Sequence, residues 1–278
     1  MKKYLTGLLV AVALFLVACG NGGSSEETTS ADDGSTQVTV AVENASNPLS
    51  YTDENGELTG YEVDLIQMLD EQIEEYSFNI ESVDAEATQV GLDTGKYAFI
   101  GGGLFKTNER DEMYLFPEEN TGKSIIRIYR RTGDDSIQSL DDLSGKTVAP
   151  VTPNGGIFNL FTEYNEANPN NQIEIVPGES GTTAESLQGV DNGSYDALVL
   201  PSNLGNQEVI DQLELDVEEV EEPVQVNNTY LMLAQGQEDL ATALSEATTA
   251  LKEDGSLAEL SNKWYGENIF EYETTEQE

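Results

Sequence analysis

From Gln37 onward the chain alternates two hydrophobic rhythms. Val38, Val40 and Val42 occupy every second position, the spacing of a half-buried strand. Residues 61–75 instead put Leu65, Ile66, Leu69 and Ile73 on one side of a helix, with Glu62, Asp70, Glu71 and Glu74 elsewhere. The turn-rich stretch 44–60 lies between them, and its Asn55-Gly56 dipeptide marks a tight turn. The unit recurs as a strand near 77–83, a helix near 85–94 and a short apolar run at 97–100. Further on, 147–151 and 173–176 predict strands, 157–168 and 183–191 predict helices, and 197–200 predicts a strand buried on both faces. Leu240, Leu244, Ala247 and Leu251 mark one helical stripe. Leu257, Leu260 and Trp264 mark another, with Gly255 between the two and Gly266 as the stop. Strands alternating with helices predict an α/β chain whose mainly parallel sheets are covered by helices. Residues 271–278 read as a frayed acidic tail.

Two strand-like segments, 124–130 and 229–234, bracket a stretch that itself reads as a complete α/β domain. If both cross between lobes, lobe 1 is discontinuous, 37–128 plus 230–270, and lobe 2 is 129–229. A two-strand hinge of that kind leaves a cleft, a common ligand site that closes by rigid-body motion. A continuous two-domain chain without the return crossing is the alternative.

Charge then narrows the functions. The chain carries 12 Lys and Arg against 53 Asp and Glu, a formal charge of −41, with no histidine and one cysteine. This excludes a Ser-His-Asp or Cys-His relay, a His-containing zinc site, a cysteine cluster and an intrachain disulfide. It also argues against nucleic-acid binding, which needs a basic surface to meet phosphates. Uniform acidity keeps a surface hydrated and resists aggregation; a saline or alkaline habitat is a sharper reading of the same excess. No cofactor motif stands out, and no Walker A motif occurs.

Lys2 and Lys3 precede an apolar run, 5–18, and then Cys19-Gly20. The run is too short for a bilayer, which takes about 20 residues. It fits the basic start and apolar middle of a secretory signal over 1–18. Leu16-Val17-Ala18-Cys19 resembles the lipobox of bacterial lipoproteins, which implies cleavage before Cys19 and its lipidation. An ordinary signal peptide that contains a cysteine is the alternative. Residues 19–36 carry no large apolar side chain and predict a flexible tether. The chain is thus expected at the outer face of the cytoplasmic membrane, extracellular or periplasmic. Without Lys2 and Lys3 it holds 10 basic residues against 53 acidic ones, a charge of −43.

The blocks between these landmarks resemble a known family. Asn47-Pro48-Leu49-Ser50-Tyr51-Thr52-Asp53-Glu54-Asn55-Gly56-Glu57-Leu58-Thr59-Gly60-Tyr61-Glu62-Val63-Asp64-Leu65 is similar to the opening of the polar-amino-acid-binding proteins of ABC importers. Four further blocks agree in order and spacing: Thr107-Asn108-Glu109-Arg110, the run 139–148, Asn192-Gly193-Ser194-Tyr195-Asp196-Ala197, and Asp254-Gly255-Ser256-Leu257 running to Lys263-Trp264-Tyr265-Gly266. The chain thus resembles the bacterial extracellular solute-binding family 3. Thr152-Pro153-Asn154-Gly155-Gly156 and 178–187 look closest to its cystine-binding branch. The resemblance implies a two-lobed, type 2 periplasmic-binding-protein fold. It further implies a monomer that closes on a polar amino acid and delivers it to a membrane permease with its ATPase.

For the ligand carboxylate, Arg110 occupies the family's arginine position, and a guanidinium fork can bind a carboxylate through two parallel hydrogen bonds. Eight of the ten basic residues left after cleavage (Lys96, Lys106, Arg110, Lys123, Arg127, Arg130, Arg131, Lys146) fall between 96 and 146, which suggests a cationic pocket. A surface pairing of Arg110 with Glu109 or Asp111 is the competing account. Gly101-Gly102-Gly103-Leu104-Phe105 ends an apolar strand, where glycines let a ligand approach backbone N–H groups; a loose turn is the alternative. Thr152, Asn154 and Gly155 precede a helix whose N-terminus suits a carboxylate, although capping explains Asn154 equally well.

The ammonium is harder to place. Many relatives carry an aspartate where this chain has Pro201, followed by Ser202. Glu43, at the end of the first strand, is the leading substitute, with Glu86 and Glu179 in reserve. The family's aromatic lid near Ser46 is missing, and Tyr51 or Phe105 is expected to supply an apolar wall. Two other classes stay open on the sequence: a dehydratase-like enzyme on the same fold, whose acid–base work would fall to Glu, Lys or Tyr, and a sensory or adhesive lipoprotein.

Overall fold

The structure is a computed structural model and describes residues 29–30, 34–178 and 181–275. The signal segment, Cys19, most of the tether and Glu179 lie outside the described residues. The described chain opens with β1 (Thr29–Ser30), β2 (Thr36–Glu43) and a small antiparallel sheet of β3 (Ala45–Ser46), β4 (Ser50–Thr52) and β5 (Leu58–Thr59). Next come α1 (Tyr61–Gln72), β6 (Tyr76–Val83), α2 (Ala85–Asp93), β7 (Phe99–Leu104) and α3 (Asn108–Met113). They are followed by β8 (Gly122–Arg131), α4 (Gly156–Ala167), α5 (Thr183–Asp191), β9 (Ala197–Pro201), α6 (Asn206–Gln212) and β10 (Val217–Glu219). The last elements are β11 (Gln225–Leu233), α7 (Glu238–Glu253) and α8 (Ser256–Tyr265).

Strand β2 runs parallel to β6 along its whole length and parallel to β7 at Ala41 and Ile100. Alternation along these strands sorts side chains to two faces, as a period of two requires. Val40, Val42, Phe99, Leu231 and Leu233 pack against α1, α7 and α8 through Leu65, Ile66, Leu69, Leu244 and Leu257. Ala41, Ile100 and Met232 face the opposite way, onto Leu92 and Tyr97. A second body of core forms around Ile126, Ile128, Val199 and Phe161 on one face of β8 and β9. Tyr129, Leu198, Leu187 and Ile210 fill its other face. Both main sheets are therefore covered by helices on both sides, but only the first is built on parallel pairs: in the second, β8 runs antiparallel to β9 and β10, against the expectation of a mainly parallel sheet in each lobe.

Strands β8 and β11 join the two bodies. They pair antiparallel over 122–126 and 225–229. Beyond that, β8 continues beside β9 and β10, while β11 continues from Tyr230 beside β7. Each strand thus begins in one body and ends in the other, hydrogen-bonded to its partner at the crossing.

Three local expectations change. Residues 147–151 form only two single parallel bridges, Val148 with Ala197 and Val151 with Pro177, and 173–176 form neither strand nor bridge. Pro150 has no N–H to extend a ladder, and the backbone switches there from Ala197 to Val176 as its partner. The tail is not frayed as far as it is described: the Thr275 N–H donates to the Val226 carbonyl at 2.9 Å, and Thr274 Oγ1 meets Asn228 Oδ1 at 2.9 Å. Ile269 packs on Ile125 and Val226, so this segment straps the crossing strands. Finally, α1 ends at Gln72, because Ile73 turns to extended backbone. Among the described residues no helix is long and apolar enough to cross a membrane, and no cluster of His, Cys, Asp and Glu is placed to hold a metal ion.

Candidate functional site

Three cavities share lining residues, two of them along the crossing strands and one beside them. The hinge-side chamber, of 210 Å³, has Gly122 and Ser124 of β8 and Thr229 of β11 on its floor. Its walls come from Leu49, Tyr61, Glu62, Gly103 and Phe105 on one side and Pro201, Asn203 and Leu204 on the other. Leu204 also lines a second chamber, of 290 Å³, at the start of α4. Phe105 and Gly156 connect these to a third space of 450 Å³ reaching Gln225, Asn227 and Thr275.

Arg110 sits on the short helix α3, whose first turn is capped by Thr107. It is half-buried and lines none of the three chambers, but Nη1 donates to the carbonyl of Phe105 at 2.9 Å. That bond holds the guanidinium beside the residue that lines two chambers. It has no ion pair among the described residues, and Asp111 pairs instead with Lys106 at 3.0 Å. The cluster of basic residues does not assemble a cationic pocket. Lys96, Lys106, Arg127, Arg130 and Arg131 are each paired with carboxylates. Lys146 reaches Ser136 at 3.1 Å, and the Lys123 ammonium donates to the Tyr272 carbonyl.

The glycines at the end of β7 hold a carboxylate of this chain. Gly103, at φ 62°, donates its N–H to Glu62 Oε1 at 2.8 Å, and the Gly102 N–H also favours that charge. A Cβ on Gly101 would stand 2.6 Å from Glu62 Oε2. The Gly103 N–H is therefore taken by Glu62 of this chain. Burial raises the Glu62 pKa above the ordinary 4.5, the N–H groups of Gly102 and Gly103 oppose it, and the charge of Glu43 adds to the rise. Glu43 is half-buried beside Gly102, with Oε1 3.5 Å from where a Gly102 Cβ would be, but it lines none of the three chambers. Burial raises its pKa too.

Thr152 and Gly155 line the second chamber with Gly156 and Phe158 of α4. No side chain caps α4, whose N-cap is Gly155, so capping does not account for Asn154. Asn154 is exposed, takes φ 60°, and lines none of the chambers. Pro201 reaches the hinge-side chamber, but the Ser202 N–H and Oγ both donate to the Ile125 carbonyl, at 2.7 and 3.2 Å. Tyr51 stands apart as well: its ring meets Trp264 edge-on at 6.3 Å, which removes it from the wall. Phe105, Leu49 and the Tyr61–Tyr265 pair, 4.9 Å apart, supply the apolar surface instead. Glu86 is exposed in the first turn of α2. Sequence reasoning missed Glu62 and Asn203; the one available signal was an acid at the second helical position of the Gly60-Tyr61-Glu62 block.

Two covered sheets joined by a pair of crossing strands, with chambers along the crossing, define a solute-binding architecture. The sequence model of the bacterial extracellular solute-binding proteins, family 3, matches residues 38–267, and the chain belongs to that family. It is similar to the L-cystine-binding protein TcyK of Bacillus subtilis, at 27% identity over 271 residues, covering 96% of this chain and 97% of that one. Its fold is also that of the probable amino-acid ABC transporter extracellular-binding protein ytmK of Bacillus subtilis, with a TM-score of 0.74 at 22% identity over 84% of this chain and 98% of that one. The L-cystine solute receptor of Neisseria gonorrhoeae, in its unliganded open conformation, shares the fold at a TM-score of 0.68 and 22% identity, covering 84% and 94% of the two chains.

Proposed function

We propose that this protein is the lipid-anchored receptor of an ABC importer and binds a polar amino acid, cystine first among the candidates, between lobes 37–128 with 230–270 and 129–229. The observation that carries the reading is the polarity of the chambers. An uncapped helix N-terminus, with its unpaired N–H groups, faces one chamber from α4. A buried carboxylate, Glu62, lines the other. A free amino acid carries the complementary charges. Arg110 supports the carboxylate end from the Phe105 side, and Thr152 and Gly155 from the α4 side. The similarity to an L-cystine-binding protein over nearly the whole chain supports both the ligand class and delivery to a permease. The lipobox-like Leu16-Val17-Ala18-Cys19 supports attachment through Cys19 to the outer face of the membrane.

A thermal-shift screen of the purified protein against the amino acids, cystine and small peptides tests this. One ligand class should raise the melting temperature, and calorimetry should then give stoichiometric binding with the ligand recovered unchanged. A flat response across the whole panel would overturn the reading.

A further inference from the structure

Two buried oxygens that lack a hydrogen-bond partner among the described residues belong to opposite walls of the hinge-side chamber. Glu62, 4% exposed, accepts the Gly103 N–H on Oε1 and leaves Oε2 unpartnered. Asn203, 9% exposed, donates Nδ2 to the Lys123 carbonyl at 2.9 Å and leaves Oδ1 unpartnered. Because the amide nitrogen of Asn203 is engaged, the atom left over is its acceptor. Buried polar atoms in folded proteins are almost always paired. Two such acceptors on one small chamber therefore describe what should enter it.

The missing group must donate, and to a carboxylate it should carry positive charge. A primary ammonium has three donors and no acceptor. The chain's own nearby ammonium does not serve, since Lys123 is turned to the Tyr272 carbonyl. The strand end is also shaped around this oxygen: Gly101 leaves open the place where a Cβ would stand 2.6 Å from Glu62 Oε2. Pro201 offers no acceptor side chain, and Asn203 stands two residues beyond it on the same wall.

We propose that Glu62 and Asn203 receive the ammonium of the bound solute, with one acceptor from each half of the molecule. The proposal deepens the reading of an amino-acid receptor and rests on it. It moves the ammonium from Glu43 to Glu62, leaving Glu43 as a neighbouring negative charge. It also makes closure specific, because an ammonium held by α1 and by the β9–α6 connection together links the two bodies.

The test measures binding of L-cystine, N,N′-diacetyl-L-cystine and cystamine to wild type, Glu62→Gln and Asn203→Ala by calorimetry. Thermal melts of each variant establish that it is folded. The acetylated probe keeps the carboxylates and removes the charged amines; cystamine keeps the amines and removes the carboxylates. Wild type should bind L-cystine at least tenfold more tightly than the acetylated form, and both variants should lose most of that preference. Asn203 lies outside the Glu62–Gly103 bond, so the same loss in Asn203→Ala cannot come from a disturbed Glu62. Unchanged L-cystine affinity in both variants would overturn the ammonium assignment and leave the receptor reading standing. Equal affinity of wild type for L-cystine and its acetylated form would also overturn it. Binding of cystamine but not L-cystine, lost in Glu62→Gln, would uphold the cation subsite and overturn the amino-acid reading. Binding of none of the three would overturn both.

Discussion

Arg127 on the crossing strand β8 grips Glu267 with both ends of its guanidinium: Nη1 and Nη2 lie 3.1 and 3.0 Å from the two carboxylate oxygens. Nη1 also reaches Glu219 of β10 at 3.0 Å, and the Tyr272 hydroxyl donates to Glu267 at 2.5 Å. Arg127 is 3% exposed, whereas the Glu219 and Glu267 side chains keep 36% and 28% of their surface in solvent, so a buried guanidinium meets partly solvated carboxylates. It ties one lobe, the crossing strand and the C-terminal strap together.

Removing the cation should leave Glu219 and Glu267 facing each other without compensation. Arg127→Ala is expected to lose about 1–3 kcal/mol of stability, less than a fully buried pair broken from one side because water partly solvates the two carboxylates left behind. Arg127→Lys should recover only part of it, because an ammonium cannot reproduce the two-pronged contact. Urea unfolding midpoints check this, and an unchanged midpoint for Arg127→Ala would remove the network from the account of stability.

Arg110 is a different kind of arginine. Its one hydrogen bond given by the structure runs to the Phe105 carbonyl, so Arg110→Ala should change stability by no more than about 0.5 kcal/mol. Affinity for the amino acid that stabilises the wild type should fall by about 2–5 kcal/mol if the guanidinium holds its carboxylate. Calorimetry on the folded variant separates the two effects. Unaltered affinity would take Arg110 out of the site.

Gly101 is required by what lies over it. A Cβ there would come 2.6 Å from Glu62 Oε2 and 3.1 Å from its Cδ. Gly101→Ala should cost about 1–3 kcal/mol by overpacking and displace the carboxylate. Gly156→Ala, where a Cβ meets nothing within 4 Å, should be harmless to stability. Comparing the two melting temperatures tests whether crowding by Glu62 fixes the glycine.

The raised pKa of Glu62 has a defined sign in stability. Unfolded, the group titrates near its ordinary 4.5; folded, burial and the charge of Glu43 push it higher, with Tyr61 and Tyr265 packed on the same chamber. Between those two values the native state holds more protons than the unfolded one, so stability falls as pH rises through the folded pKa. Below 4.5 the contribution is fully present. Glu62→Gln lacks this dependence, so its melting temperature relative to wild type should climb as pH increases from about 4.5 and level off above the folded pKa. A difference that stays flat with pH would contradict the buried carboxyl.

Several elements could be read from their own residues. The stripe Leu65, Ile66, Leu69 announces α1, the alternation Val38, Val40, Val42 announces β2, and residues 183–191 match α5 at both ends. In each case a local period sets which face is apolar, and burial only has to accept it. Helix α6 escaped because its seven residues carry only Val209 and Ile210 as apolar markers, too few to define a face. The basic cluster misled for another reason: nearness in sequence says nothing about partners, and Arg127 finds Glu219 and Glu267 far along the chain.

The sequence by itself determined an acidic α/β chain and the two segments able to run through both bodies, and its motif blocks carried the resemblance to the family. Composition and local period, which each stretch of chain carries with it, set the first two; the ordered motif blocks set the third. Only the tertiary structure decided which groups meet at the chambers. Glu62 reads as part of a helix's polar side, yet strand β7 folds over it and brings Gly103, 41 residues away, into hydrogen-bond contact. Asn203 faces it across the chamber only because β8 and β11 cross. Whether a polar side chain is solvated or buried depends on what the rest of the chain places over it, and no local period records that.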